Sequence, residues 1–203
     1  TPYHYSANNP VSFLDPGGEI VRAVNDEAKK AILNSVEKKY RKHISFNENG
    51  FVSIDIKTAP IDKISLDGIR TDISPNNITS LAMLVNSDEM ISVNVIKTKD
   101  IKVAYKDSDG QRQDKTREEL GYIDGITLFN SDDIAISSPN EWTQVILWNF
   151  EDENFKGKIV AHELYGHVFY YLFGNGLPFI HDNSNVQSEL DKRCEEVENN
   201  STE

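Results

Sequence analysis

The sequence has a single cysteine, Cys194, no excess of positive charge and no long hydrophobic run. One cysteine excludes an internal disulfide. No apolar stretch approaches the roughly 20 residues that a membrane-spanning helix requires, so membrane insertion is not expected. The formal net charge is −12. Nucleic acids and anionic membranes attract basic patches, so neither is expected as the main partner. The acidity instead fits a basic partner, such as an inhibitor (immunity) protein or a cationic substrate.

The remaining composition is that of a soluble globular protein. Hydrophobic residues make up 38% of the chain and charged residues 27%. At 203 residues the chain is long enough for one domain with a proper core. The first residue is Thr1 rather than methionine, so we expect the chain to be a fragment of a longer polypeptide.

The most informative stretch is residues 160–168, which contain two histidines and a glutamate within an apolar run. Neutral imidazole is a favoured zinc ligand. A carboxylate beside such a pair can act as general base on the attacking water. His162 and His167 are therefore candidate metal ligands, and Glu163 is the candidate base.

The spacing of the two histidines departs from that of a regular helical zinc motif, in which the ligands are at i and i+4. His162 and His167 are five positions apart. On a regular α-helix this separates them by about 140° around the axis. Sharing one ion therefore requires an extra residue in the helix, such as a π-bulge. Gly166, just before the second histidine, is the residue best able to adopt an irregular backbone.

The run His162-Glu163-Leu164-Tyr165-Gly166-His167 resembles the HExxGH signature of dipeptidyl peptidase III-type zinc peptidases. It is also similar to the metallopeptidase toxin domains found at the ends of polymorphic toxins. The resemblance implies a Zn²⁺ cofactor held by both histidines and a protein or peptide substrate.

A second resemblance lies in the first eighteen residues, which contain an aromatic pair, Asn8-Asn9-Pro10 and Asp15-Pro16-Gly17-Gly18. This pattern resembles the closing motif of the Rhs (YD-repeat) core, after which a variable C-terminal toxin begins. The resemblance implies a linker at residues 1–18 and a toxin domain at residues 19–203. It also implies that the toxin is secreted, or delivered into a target cell, as part of a larger polypeptide.

Hydrophobic periodicity predicts an α+β fold. Strands followed by the histidine helix suit a zincin-like arrangement, with a twisted sheet, an active-site helix and a C-terminal helix that carries the last ligand. The predicted helices are residues 19–43, the histidine helix and residues 186–199, with a loop at residues 174–184. The predicted strands are residues 51–56, 78–85 and 90–96 (a hairpin), 101–105 (continuing that hairpin), 125–129, 134–136 and 143–148. Residues 107–110, followed by Asp114, faintly resemble a calcium loop but lack its closing glutamate, so a solvated turn is predicted.

A catalytic zinc ion takes three protein ligands and keeps one position open. After His167, the third ligand is expected from the C-terminal helix, whose buried stripe is Val186, Leu190, Cys194 and Val197. Glu198 lies at the edge of that stripe and is the first choice. In the resemblance to toxin metallopeptidases it matches the glutamate of a terminal Glu-Asn pair. The alternatives are Glu196, which matches the second glutamate of the pair in dipeptidyl peptidase III-type enzymes, and Glu189, Asp191 and His181.

The sequence therefore predicts a zinc metallopeptidase, a hydrolase that acts as a toxin or effector. Tyr165 and His181 are candidates for stabilising the oxyanion. A zincin-like binding module with a structural metal, or with none, is the alternative function. A merely structural site would not need Glu163. Hydrolysis of a non-peptide amide would use the same residues, and the substrate, target cell and oligomeric state stay open.

Overall fold

A computed structural model gives the fold over residues 20–61, 76–97, 101–107, 109–121, 123–130, 137–139, 142–149, 152–173 and 185–201, with side chains of the last segment described from residue 190. This part of the chain contains both helices and strands. In order they are β1 (Val21–Ala23), α1 (Asp26–Asn34), a 3₁₀ turn (Arg41–His43), β2 (Ile44–Phe46), β3 (Val52–Ile54), α2 (Asn77–Val85), β4 (Ile91–Ile96), β5 (Val103–Lys106), β6 (Arg112–Lys115), β7 (Gly125–Leu128), β8 (Thr143–Trp148), α3 (Glu153–Val160), a π-helix (Ala161–Val168), α4 (Phe169–Phe173) and α5 (Asn185–Asn200).

A four-stranded mixed sheet in the order β1-β4-β8-β7 forms the centre of the fold. Strands β1, β4 and β8 are parallel, and the edge strand β7 is antiparallel to β8. Side chains alternate between the two faces of a strand. Val93 and Val95 of β4 therefore face the main core, whereas Ile96 joins a smaller core with residues of β5.

The helices form the layer on the main-core face. Residues 153–173 run as one continuous helix through α3, the π-helix and α4. The side chain of Asp152 caps its start by accepting hydrogen bonds from the backbone N–H groups of Asn154 and Phe155. Helix α5 packs against the π-helix, and β7 contacts the π-helix from the sheet side. The histidines thus lie where the edge of the sheet, the central helix and the C-terminal helix meet.

The single helix predicted over residues 19–43 is wrong in extent. Strand β1 comes first, and α1 begins only after Asn25, whose side chain accepts a hydrogen bond from the N–H of Ala28. The helix ends at Asn34, and Ser35 forms its C-cap. The apolar spacing continued across these boundaries, so periodicity alone did not show the start and end of the helix.

The hairpin predicted from residues 78–85 and 90–96 is also wrong. The first segment is helix α2, in which every residue is buried. A continuous apolar run does not distinguish a buried strand from a buried helix. The second segment is β4, which pairs with β1 and β8. Strand β5 likewise pairs with β6, around the solvated turn predicted at residues 107–110, rather than extending a hairpin with β4.

The α+β class is confirmed. The strands predicted at residues 51–56, 125–129 and 143–148 are observed as β3, β7 and β8, and the predicted C-terminal helix is α5. Among the described residues, no helix is both long and apolar enough to cross a membrane. The linker predicted at residues 1–18, the strand at 134–136 and the loop at 174–184 lie outside the described residues.

Candidate metal centre

The helix that carries the two histidines contains the extra residue that their spacing predicts. Residues Ala161–Val168 form a π-helix within an otherwise α-helical segment. At its end the N–H of Phe169 donates to the carbonyl of Leu164, five residues earlier. Because π-helical hydrogen bonds join residues i and i+5, residues five positions apart lie on nearly the same face. The predicted irregularity between His162 and His167 is therefore confirmed.

The two imidazoles meet through their Nε2 atoms, which are 3.1 Å apart. This is a hydrogen-bond distance, and it is also close to the separation of about 3.3 Å expected for two nitrogen ligands of a tetrahedral zinc ion. His167 is 7% exposed, and His162 is half-buried. The pair thus has the spacing and the partial burial that a metal centre needs.

Gly166 lies within the π-helix, as predicted, and also has a packing role. Its φ is not among the positive values, which occur at three other glycines of the described chain. A Cβ at Gly166 would instead lie 2.5 Å from Sγ of Cys194. The glycine therefore allows α5 to approach the π-helix closely at the level of the histidines.

Glu198 contacts the first histidine, on the side of the ring opposite to His167. Its Oε1 is 2.7 Å from Nδ1 of His162, whereas the Nε2 of that ring faces His167. Among the described residues, the group of potential ligand atoms within 4.8 Å of one another consists of His162, His167 and Cys194. The group does not include Glu198, whose place in a metal shell stays a prediction.

The surroundings of His162 favour positive charge. Burial by itself lowers the pKa of His162, but hydrogen bonds to Cys194 and Glu198, with the charge of Glu163 nearby, outweigh it and raise the pKa to about 10. The neighbouring groups thus favour a proton on His162, which a metal ion would have to displace.

Glu163 contacts the edge strand of the sheet through one carboxylate oxygen. Thr127 of β7 donates a 2.7 Å hydrogen bond to its Oε2. Gly125 leaves room for this approach, because a Cβ there would lie 2.6 Å from Ile159 Cγ2 and 3.1 Å from Glu163 Oε1. Glu163 is only 8% exposed. A neutral donor thus holds Glu163 against the edge of the sheet, next in sequence to the candidate ligand His162.

Arg193 fixes α5 against the rest of the site. Its Nε donates to the carbonyl of Tyr165, and its Nη2 donates to Oγ of Ser80 in α2. Its guanidinium also lies 5.0 Å from the centre of the Phe169 ring. Burial lowers the pKa of Arg193 to about 10. These contacts join three helices and position the next residue, Cys194, beside His162.

Tyr165 is not placed to stabilise an oxyanion, contrary to the sequence-based expectation. Its side chain is fully buried, and its hydroxyl shares a 2.8 Å hydrogen bond with Oγ of Ser35 in the core. Burial raises the pKa of Tyr165 well above its usual range. His181, the other candidate, lies outside the described residues.

The alternative third ligands receive no support from the described part of α5. Asp191 and Glu196 are exposed, and the group of potential ligand atoms around the histidines contains neither. The side chain of Glu189 lies outside the described residues.

Sequence reasoning missed three residues that shape the site: Cys194, Arg193 and Thr127. Cys194 was assigned only to the buried stripe of α5. The signal available in the sequence was its position four residues before Glu198, because residues four apart lie on the same face of a helix. Arg193 and Thr127 follow no motif, and their roles arise from the tertiary packing of α5 and β7.

Comparison of the chain with protein-family models, with curated proteins and with solved structures gave no match. The two sequence resemblances therefore stay predictions.

Proposed function

We propose that this chain is a zinc-dependent peptidase with a zincin-like fold, which acts as the toxin end of an exported Rhs-type protein. The observation that carries the enzymatic part is the pair of imidazoles 3.1 Å apart on a π-helix, with the carboxylate of Glu163 adjacent in sequence and nearly buried. The toxin part is supported by the motif at residues 1–18.

The donor set fits zinc. Two imidazole nitrogens and a further donor from α5 give three protein ligands, which leaves a position for water or substrate. Zinc, when bound, supplies Lewis acidity that polarises a carbonyl and makes a water molecule more acidic. His162 and His167 would hold it, and the resemblance to toxin metallopeptidases names Glu198 as the third ligand.

Glu163 performs the proton transfers in this proposal. Its carboxylate takes a proton from the attacking water as the water oxygen bonds to the peptide carbonyl carbon. It then gives this proton to the nitrogen of the departing amine as the C–N bond breaks. The hydrogen bond from Thr127 fixes the orientation of this carboxylate.

The decisive variant is Glu163→Gln, which keeps the size of the side chain but cannot accept the proton. Zinc content and thermal stability are expected to match those of the wild type, because Glu163 is not a ligand in this proposal. Hydrolysis of a mixed peptide library should fall by about 10²–10⁴-fold, and toxicity after expression in a susceptible cell should fall with it.

Glu195→Gln is the matched control, because Glu195 is exposed on α5. The same chemical change there should leave zinc content, hydrolysis and toxicity unaltered. Full toxicity in Glu163→Gln with metal retained would instead identify a binding module. Hydrolysis of small amides but of no peptide in the wild type would redirect the proposal to a non-peptide amidase.

A further inference from the structure

We infer that Cys194, rather than Glu198, supplies the third protein ligand. Glu198 instead orients the imidazole of His162 through its contact with Nδ1. This inference rests on the proposed metal centre and names the donor that completes it. The ligand set changes from two imidazoles and a carboxylate to two imidazoles and a thiolate.

The position of the thiol is the first argument. Sγ of Cys194 and the ligand nitrogens of both histidines all lie within 4.8 Å of one another. Zinc–nitrogen and zinc–sulfur bonds of about 2.05 and 2.3 Å give a nitrogen–sulfur separation of about 3.6 Å in a tetrahedral shell. Each nitrogen–sulfur separation therefore has to shorten by at most about 1.2 Å for the three atoms to share one ion.

Packing supplies the second argument. Cys194 is 3% exposed, and its Sγ lies 4.0 Å from the backbone carbonyl of His162. Gly166 provides the space into which the sulfur fits, and Arg193 fixes the adjacent turn of α5 to the π-helix. The thiol is thus held at the histidine pair by neighbours from two helices.

The location of Glu198 is the third argument. The two nitrogens of an imidazole point to opposite sides of the ring, and Glu198 lies 2.7 Å from Nδ1 of His162. An ion bound at the Nε2 atoms lies on the far side of the ring from that carboxylate. A carboxylate that accepts the second N–H of a ligating histidine is the usual arrangement in zinc sites, where it fixes the ring orientation and raises the basicity of the ligand.

The chemistry of the donors agrees with this assignment. Zinc accepts mixed imidazole and thiolate ligands. A coordinating thiol is deprotonated outright, so Cys194 would balance one of the two positive charges. Three protein ligands leave the fourth position open for water, and Glu163 keeps its proposed role as the base.

The test uses X-ray absorption to identify the atoms bound to the metal in the purified, zinc-loaded protein. Cobalt-substituted protein is examined in parallel by ultraviolet–visible absorption. Cys194 is the only cysteine of the chain, so a thiolate signal has one source. We expect one sulfur at about 2.3 Å beside nitrogen or oxygen neighbours at about 2.0–2.2 Å, and a thiolate-to-cobalt charge-transfer band.

The variants separate the two candidates for the third ligand. Glu198→Gln should retain the sulfur neighbour and the charge-transfer band, with metal affinity about 10–100-fold lower. Cys194→Ser should lose the band. If Cys194→Ser does not fold, the wild-type spectra still decide the question without it.

The failures are distinguishable. Bound zinc with only nitrogen and oxygen neighbours would overturn the assignment of Cys194 and leave the proposed peptidase standing. Loss of the sulfur signal in Glu198→Gln would contradict the proposal that Glu198 only orients His162 and does not determine which atoms bind the metal. Failure to bind any metal would overturn both this inference and the proposed function.

Discussion

Replacing Gly166 with alanine tests whether α5 must lie as close to the π-helix as the structure places it. The added Cβ would lie 2.5 Å from Sγ of Cys194, whereas the Cβ of Cys194 would be at an ordinary 3.7 Å. The clash is therefore with the sulfur atom alone. Removing the sulfur in a second variant, Cys194→Ala, should relieve it.

The size of the effect follows from two opposing contributions. Overpacking by one methyl group typically costs about 1–3 kcal/mol, whereas glycine-to-alanine in a helix stabilises by about 1 kcal/mol. Gly166→Ala in the wild type is thus expected to lie between neutral and about 2 kcal/mol destabilising. In the Cys194→Ala background the same change should stabilise by up to about 1 kcal/mol. The coupling energy between the two positions is then about 1–3 kcal/mol.

The assay is equilibrium unfolding of the four proteins of this double-mutant cycle, measured in chelator so that metal binding does not contribute. Gly157 provides the matched control. A Cβ there would lie 2.5 Å from the backbone carbonyl oxygen of Asn34, which Cys194→Ala does not alter. Gly157→Ala and Cys194→Ala should therefore be additive within about 0.5 kcal/mol. Additivity of Gly166→Ala with Cys194→Ala would refute the close contact on which the description of the site depends.

Three further changes test neighbouring parts of the account. Thr127→Val should lower the rate of hydrolysis by about 10-fold, which is roughly the effect of one hydrogen bond. Zinc content should not change, and the control Thr127→Ser should retain the rate. Tyr165→Phe should leave the rate of hydrolysis unaltered, because the hydroxyl contacts Ser35 in the core. The free energy of unfolding should fall by about 0.5–1.5 kcal/mol. A steep loss of activity would restore Tyr165 as an oxyanion donor. Burial raises the pKa of Glu37 above 4.5, so the folded protein binds more protons than the unfolded chain and loses stability as the pH rises from about 4.5. Urea unfolding of Glu37→Gln should therefore show less of this decline, and an identical pH dependence in both proteins would contradict the burial of that carboxyl group.

The meeting of the two histidines could be predicted from sequence because the constraint is local. Two histidines five positions apart in one helix can share an ion only if the helix carries an extra residue. The π-helix at Ala161–Val168 supplies it. The apolar stripe of α5 was likewise recovered, since Leu190, Cys194 and Val197 are all buried.

The third donor could not be chosen from sequence because the choice depends on the direction from which α5 crosses the π-helix. A helical wheel shows which residues lie at the edge of a stripe, but not which nitrogen of His162 each one meets. Cys194 was assigned to the core because its spacing places it on the buried stripe of α5. The glycine opposite it, Gly166, is recognisable as a partner only once both helices are in place.

The fold was predicted less well where tertiary burial overrides local pattern. Residues 78–85 are buried on every side, so they show no helical periodicity and were predicted to be a strand. The informative signal was at the boundary, where the side chain of Asn76 accepts from the N–H of Thr79 and caps α2. Strand β1 was missed because its three residues precede α1 without an interruption of the apolar pattern.

The most direct test of the central claim is the zinc content of protein purified without chelator, measured by elemental analysis. The account predicts about one zinc per chain, which is lost in His162→Ala and in His167→Ala. It should be retained in the control His43→Ala, whose ring contacts Thr58 in a different part of the fold. A wild-type protein that contains no metal and takes up none on addition of zinc would contradict the account, as would equal zinc content in all three histidine variants.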